Sequence, residues 1–266
     1  MAEHGARQRG PTSRKGSSGS LDPGAAERRF LATYDATSYD RISIAVDVAL
    51  VSAFGDALYT LAVEREGHPF KGMPALPGVF VRKDESLDAA AARALEAKAG
   101  LAGVFLEQLY TFGDPGRDPR TRIVGVAYYA LVPRTRFDAA RAAPGVSMLR
   151  IAVPWDGETG GAVEVQGEDG RPRALAFDHA EILGMAMKRL RGKLDYTPIG
   201  FQLLPDHFTL LELQRVHETV LGRPVNKDSF RRRMLASGLL EATGHSEKDV
   251  DHRPAELYRF ARRSAV

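Results

Sequence analysis

The chain has 266 residues, enough for one large domain or two smaller ones, and its 44% hydrophobic content is that of an ordinary globular protein. Its 37 Lys+Arg nearly balance 34 Asp+Glu, and a net charge of +3 fits nucleic acid or anionic ligands without proving either, so the placement of charge matters more than its total. The lack of cysteine excludes a disulfide framework and Cys-ligated zinc, no apolar run reaches the ~18 residues of a membrane span, and the first 20 residues lack the apolar core of a signal peptide; the expectation is a cytoplasmic protein with no membrane partner.

Residues 1–38 read as a disordered basic arm. The stretch from Gly5 to Ser20 is basic, rich in Gly and Ser and almost free of large apolar residues, so it buries too little surface to offset chain entropy. Such an arm either brushes DNA or is a tail without a role.

Residues 39–193 read as a mixed α/β domain. From Arg41 to Val51 the sequence alternates, placing Ile42, Ile44, Val46, Val48 and Leu50 on one face of a strand. Phe54-Gly-Asp56 supplies a turn, Ala57–Val63 a second strand and Ala75–Val81 a third. Ser86 offers a hydroxyl N-cap to an Ala-rich helix over Leu87–Ala99, and Gly100 ends it. Val104–Phe112 and Thr121–Val132 are strands around the turn-rich loop Gly113–Arg120, which is either a ligand loop or an ordinary connection. A hairpin is expected over Val163–Val165 and Ala174–Ala176. Asp178 then caps a helix to about Leu190, with Ile182, Leu183, Met185, Ala186 and Leu190 as its apolar stripe.

Residues 194–266 read as a smaller domain. Thr209 is placed to cap a helix through Leu221, Gly222-Arg-Pro-Val225 is a tight turn, and Asn226 caps a second helix to about Ser237. Leu239–Ala242 and Glu256–Phe260 follow as strands joined by a polar loop. Helix, turn, helix and β-ribbon is the pattern of a winged helix-turn-helix.

The segment Leu76-Pro-Gly-Val-Phe-Val81, Glu85-Ser-Leu87 and Arg93-Ala-Leu-Glu-Ala-Lys-Ala-Gly-Leu101 resembles the Nudix box. Glu85, Arg93, Leu95, Gly100 and Leu101 stand where the family pattern requires them, while Val79 replaces its first glycine. The resemblance implies that three carboxylates on one helix face should gather divalent cations, which neutralise a diphosphate and activate water. Those positions hold Ala94, Ala97 and Lys98, so no catalytic and no metal-ligating residue is assigned, and the competing reading, a Nudix-type nucleoside diphosphate hydrolase with residual activity, is disfavoured. Arginines can hold a diphosphate without metal. The candidate ligand-binding set is Arg65, Lys71, Gly78, Arg82, Arg117 and Arg120, with Arg122 beside it.

In the second helix of the smaller domain Phe230 and Met234 face inward at i, i+4, leaving Lys227, Ser229, Arg231, Arg232 and Arg233 around the other sides. The candidate DNA-binding set is these five with Thr209, Arg215, Arg223 and Arg253. A second competing reading has this domain bind protein. The order of a degenerate Nudix domain, then Phe-Thr-Leu-Leu-Glu-Leu-Gln-Arg-Val-His-Glu218 and Asn-Lys-Asp-Ser-Phe-Arg-Arg-Arg233, is similar to the Nudix-related transcriptional regulators of the NrtR family. That resemblance covers about Tyr39 to Phe260. It implies a Nudix-type mixed-sheet α/β/α sandwich followed by a small winged helix-turn-helix domain. It also implies a homodimeric bacterial repressor of NAD synthesis or salvage genes, bound to double-stranded DNA at an inverted repeat, with no cofactor and with ADP-ribose or a related NAD-derived nucleotide as effector.

Overall fold

The computed structural model describes residues 23–194, 196–248, 250–251 and 253–261. The expected arm lies mostly outside these residues. Over its last part the structure differs from the expectation: residues 23–38 contain helix α1 (Pro23–Thr33) and a 3-10 turn over Ala36–Ser38, capped by the Asp35 side chain. Residues 23–41 belong to a unit of their own, in which the rings of Phe30, Tyr34 and Tyr39 succeed one another at centroid distances of 5.5 and 6.4 Å. Local aromatic contacts and helix-forming Ala, Glu and Arg order this segment despite its lack of a buried face.

The second unit, from Ile42 onward, is built on a mixed sheet. Strand β1 (Ser43–Phe54) lies at its centre, antiparallel to β2 (Ala57–Glu64). The expected third strand is two short ones, β3 (Pro74–Ala75) on β2 and β4 (Gly78–Phe80) on β1, because Pro77 between them has no N–H for a ladder. Helix α2 (Leu87–Ala99) runs from the Ser86 cap, whose hydroxyl accepts from Ala89 N at 3.1 Å, to Gly100 at φ 63°. Strands β5 (Phe105–Phe112) and β6 (Ile123–Leu131) follow, β6 lying parallel to β1. The sequence reading has no elements over residues 133–162, yet the structure has α3 (Arg134–Arg141) and β7 (Val146–Ala152), the latter antiparallel to β2. Helix α3 is only eight residues long, buries only Phe137 and Ala140 and has no side-chain cap, so no capping signature marks its start. The small strands β8 (Glu164–Gln166) and β9 (Pro172–Arg173) extend the edge, giving the order β5-β6-β1-β2-β7-β8-β9.

The two faces of β1 feed two apolar layers. Val46, Val48 and Leu50 pack with Ala90, Ala91, Ala94 and Leu95 of α2. Ile42 and Ile44 continue the same alternation but are exposed, since β1 outruns the layer at that end. Ala49 and Val51 face the other way, toward Ile182, Leu183, Ala186 and Met187 of α4 (His179–Leu194). The second layer continues without a break into the C-terminal elements. After a 3-10 turn over Pro198–Leu203 come α5 (Leu210–Leu221), α6 (Lys227–Ala236) and the antiparallel ribbon β10 (Leu240–Ser246) and β11 (Glu256–Phe260). Helix, turn, helix and two-stranded wing therefore stand as expected, joined to an α/β/α sandwich.

Helix α4 sits on the chain before β8 at backbone contact. A Cβ at Gly184 would lie 1.9 Å from the carbonyl oxygen of Gly161, which no side-chain motion can relieve. Gly184→Ala should therefore lower stability by about 1–3 kcal/mol despite alanine's better helix propensity, read as a fall in the denaturation midpoint; an unchanged midpoint would show that this seat is loose.

Candidate effector cleft and nucleic-acid interface

A cleft of about 160 Å³ opens beside β1 and β4, and Asp47, Arg65, Phe80, Arg117, Arg120 and Phe177 are among its lining residues. It is held open by a buried charge network. Arg117 donates to Asp178 through Nε to Oδ2 and Nη2 to Oδ1, both at 2.8 Å, and to Asp47 Oδ2 at 3.3 Å. Its side chain is only 6% exposed. Burial opposes the guanidinium charge, but the Asp178 bonds and the nearby Asp47 charge outweigh it and raise the pKa of Arg117. Two glycines make the room: a Cβ at Gly78 would meet Asp47 Oδ1 at 2.4 Å, and one at Gly125 would meet the Arg117 guanidinium at 2.5 Å.

His179, at the start of α4, closes the floor. Its Nδ1 accepts a hydrogen bond from Leu76 N at 2.9 Å, so its proton sits on Nε2, which faces Asp47 Oδ1 at 3.7 Å. Burial pushes its pKa down, keeping the ring neutral.

The open side carries arginines of a different kind. Arg65 donates from Nε to Pro69 O at 2.8 Å and lies over the Phe177 ring at 4.6 Å. Burial and the nearby Arg120 charge lower its pKa. Arg120 stands over Phe80 and Phe177 at 5.7 and 5.8 Å, and its Nη2 is bound to Asp118 Oδ2 at 2.7 Å. Of the expected ligand set, the structure gathers Arg65, Gly78, Arg117 and Arg120 around this cleft. Lys71 and Arg82 are exposed and outside its lining, Lys71 in a turn and Arg82 just past the end of β4. Arg122 also lies outside, donating to Asp114 O at 3.2 Å. Sequence reasoning missed Asp47, Asp118, Phe177 and His179. Its only available signals were a charged residue in the apolar run of β1 and the Phe-Asp-His sequence just before α4.

The box itself is a mechanical joint. Arg93 binds the Glu85 carboxylate, with Nε to Oε2 at 3.0 Å, and donates from Nη2 to Phe80 O at 3.0 Å, while Glu85 Oε1 accepts from Arg82 N at 2.7 Å. These bonds hold Glu85 below the usual carboxylate range, led by the Arg93 bond.

In the C-terminal elements a groove of about 730 Å³ runs between α6 and the wing, and Lys227, Arg231 and Arg253 all line it. Asn226 caps α6 by accepting from Ser229 N at 2.9 Å. Phe230 and Met234 are buried, Phe230 edge-on to the buried His217 ring at 4.9 Å. With 100° between successive residues, Arg231 and Arg233 flank the buried face and Arg232 points directly away from it. All three are exposed, as are Arg223 and Ser229.

Two expected contacts stand in different settings. Thr209 lines the α6 groove but is only 3% exposed, and its hydroxyl accepts from Glu212 N at 3.1 Å while Glu212 Oε2 accepts from Thr209 N at 2.7 Å, a reciprocal cap that engages the threonine side chain. Arg215 faces a different cleft, shared with Phe54, Asp56 and Arg134, away from the α6 groove.

Comparison with known proteins places these features in one lineage. Residues 200–260 match the family model of the NrtR DNA-binding winged helix domain. Over 239 residues, 89% of each chain, this chain is 38% identical to the ADPR-responsive transcriptional repressor NtrR of Acinetobacter baylyi. It is similar to NrtR of Shewanella oneidensis complexed with a 27mer DNA, at 33% identity and TM-score 0.68, covering 82% of this chain and 93% of that one. It is also similar to a MutT/nudix family protein of Enterococcus faecalis, at 26% identity and TM-score 0.71, covering 89% and 93% respectively.

Two outcomes follow from these geometries. Arg231→Ala should reduce the salt slope of DNA binding by about one phosphate equivalent, whereas Thr209→Ala should cost about 0.5–2 kcal/mol of stability and leave that slope alone. Equal slopes for wild type and Arg231→Ala would remove that residue from the interface. Separately, His179 has a lower pKa folded than unfolded, so above pH ~6.5 it binds no proton in either state and its stability contribution is complete. Stability should fall as the pH drops below that value toward the folded pKa, and His179→Gln should flatten this acid limb of the denaturation profile.

Proposed function

We propose a function from the premise that this chain belongs to the NrtR family of Nudix-related transcriptional regulators: it is a DNA-binding repressor whose Nudix-like part senses ADP-ribose or a close NAD-derived relative. The observation that carries this reading is the pairing, within one compact unit, of an arginine-and-aromatic cleft with a winged helix whose Lys227, Arg231 and Arg253 share a groove. Residues 39–193 are the sensor and residues 194–266 the reader.

In the sensor, Arg65 and Arg120 are placed to receive diphosphate oxygens, and Phe80 and Phe177 offer ring faces to a base or sugar. The cleft of about 160 Å³ is smaller than the ~300–1,000 Å³ usual for ligand sites. A nucleotide therefore occupies it with one end and lies along the exposed rim formed by Phe80 and Arg120.

The donor set does not suit a divalent cation. Ala94, Ala97 and Lys98 stand where the Nudix chemistry needs carboxylates, and Glu85 is committed to Arg93. Among the described residues no three His, Asp or Glu side chains gather as a cation site would require. Effector binding is thus separated from hydrolysis: the guanidinium charges do the neutralising that magnesium would do in an enzyme.

In the reader, α6 enters the major groove with Lys227 and Arg231 while Arg253 approaches a phosphate from the wing; Ser229, Arg232, Arg233 and Arg223 are further contacts. One such module makes few base contacts, so a homodimer on an inverted repeat supplies the specificity. The regulated genes are those of NAD synthesis or salvage.

The test is calorimetry with ADP-ribose in excess chelator, alongside a hydrolysis assay with magnesium or manganese. Binding without metal and no turnover is expected. Turnover at the rate of ordinary Nudix enzymes, abolished by chelation, would overturn the regulator reading; absence of any binding across NAD-related nucleotides would overturn the sensor.

A further inference from the structure

We propose that α4 couples the cleft to the reader, and that Arg191 is the positioning residue through which α4 sets the angle of the helix-turn-helix. This rests on the reading that the cleft takes the effector and α6 takes DNA.

Helix α4 has 16 residues, a rod of about 24 Å, and each end is anchored in a different site. Its N-terminal end belongs to the cleft. Asp178 is locked to Arg117 by two bonds of 2.8 Å, and His179 lines the cleft floor. Its middle is wedged against Gly161 through Gly184, so the helix and the loop beside it cannot slide independently. Its C-terminal half is tied to β5 by Lys193 to Glu107 at 2.7 Å and Arg189 to Leu109 O at 3.0 Å.

Arg191 reaches in the opposite direction, and its residue is only 7% exposed. Nε donates to Val220 O at 2.8 Å, while Nη1 donates to Trp155 O at 2.9 Å and to Gly157 O at 3.1 Å. The guanidinium also lies on the Trp155 ring at 4.8 Å. Val220 is in the last turn of α5, where carbonyls have no partner within the helix and a cation is favoured by the peptide dipoles. The turn into α6 starts at Gly222, φ 70°, where a Cβ would come within 3.2 Å of Arg191 Nη2. One planar fork thus joins the sensor loop at 155–157 to the end of α5 and the start of the turn that aims α6. A lysine has three donors but all on one nitrogen, so it cannot reproduce the separate Nε contact to Val220 O and Nη1 contacts to Trp155 O and Gly157 O.

An anion held by Arg65 and Arg120 lies beside the Arg117 guanidinium, which lines the same cleft, and its charge competes with Asp178 for that guanidinium. That gives the effector a differential interaction with two positions of the α4 end, which is what a shift in DNA affinity requires. Because α4 is rigid, the shift appears at Arg191.

The experiment titrates ADP-ribose against the full chain, free and bound to a duplex selected from random DNA, for wild type, Arg191→Lys and Arg191→Met. The ratio of the two dissociation constants is the coupling factor, expected at roughly 5–150-fold in wild type and within about twofold of unity in both variants. ADP-ribose affinity for the free chain should stay near wild type in Arg191→Lys. A merely structural arginine would lower the unfolding midpoint and leave the factor intact, which would overturn the proposal. A wild-type factor of one would instead overturn the effector reading beneath it. Hydrogen exchange on the wild-type chain needs no variant: ADP-ribose should change protection at residues 155–157 and 218–222, and unchanged protection at both would also overturn the proposal.

Discussion

Burial of the Arg117 guanidinium is the constraint on which the sensor depends. Taking a full charge out of water is tolerable only with close counter-charges and complete hydrogen bonding. Asp178 and Asp47 supply both, from the start of α4 and from the central strand. Gly78 and Gly125 are the concession: each leaves a space that any side chain would fill. Once Arg117 is pinned, the loop Gly113–Arg120 must fold over the cleft, Asp118 is brought to Arg120, and His179 is pressed under Leu76 N. The wall of the cleft and the root of α4 are therefore one object. Arg117 itself is the anchor of the site, and the arginines with room to meet a ligand are Arg65 and Arg120.

The reader follows a different logic, in which charge stays in water and apolar contacts set direction. Three adjacent arginines resemble one basic patch in the sequence, but helical geometry spreads them over most of the outer surface of α6. Phe230 and Met234 fix the rotation, so only Arg231 joins Lys227 and Arg253 in the groove. Arg233 lies over the Phe230 ring at 5.7 Å, so its stem covers the core as its charge faces out. A helix of this kind offers different contacts to bases and to phosphates from one short run of like residues.

Local devices were legible in the sequence, and long-range pairings were not. Ser86, Thr209 and Asn226 all cap as their chemistry suggests, and Gly100 and Gly222 end their helices in the left-handed region. The alternation of β1 identified from Val46 onward the face packed against α2, while its other face, with Ala49 and Val51, is buried as well. The helix α3 escaped because it is short and its only large apolar residue is Phe137, and the strand β7 because the adjacent Met148 and Leu149 break the strict alternation that marks a half-buried strand. The core of the candidate site escaped for another reason. His179 meets a backbone amide 103 residues earlier, and Arg117 meets an aspartate 61 residues later. An arginine bound for burial looks the same in a sequence as a solvated one, so Arg82 and Arg117 could not be told apart, nor could the packing role of Arg191 be seen.

The sheet face beneath α4 and the core of the winged helix form one apolar cluster, from Ala49 and Leu131 through Met187 and Leu190 to Leu213, Val220 and Met234. Close-packed interiors deform poorly and tend to switch between discrete arrangements. A flexible tether between sensor and reader would dissipate a small displacement at the cleft. Here the path is a rigid helix, seated at Gly184 on a backbone carbonyl and ending in a guanidinium that holds the carbonyl of Val220. The polar contacts at its two ends are directional, and the apolar cluster between them is not. The cluster therefore supplies cohesion between α5 and α4, while the hydrogen bonds fix their direction. That division of labour, with cohesion from the apolar surface and selection by a few buried guanidinium bonds, is what lets the occupancy of a small cleft bear on the orientation of a helix in another domain.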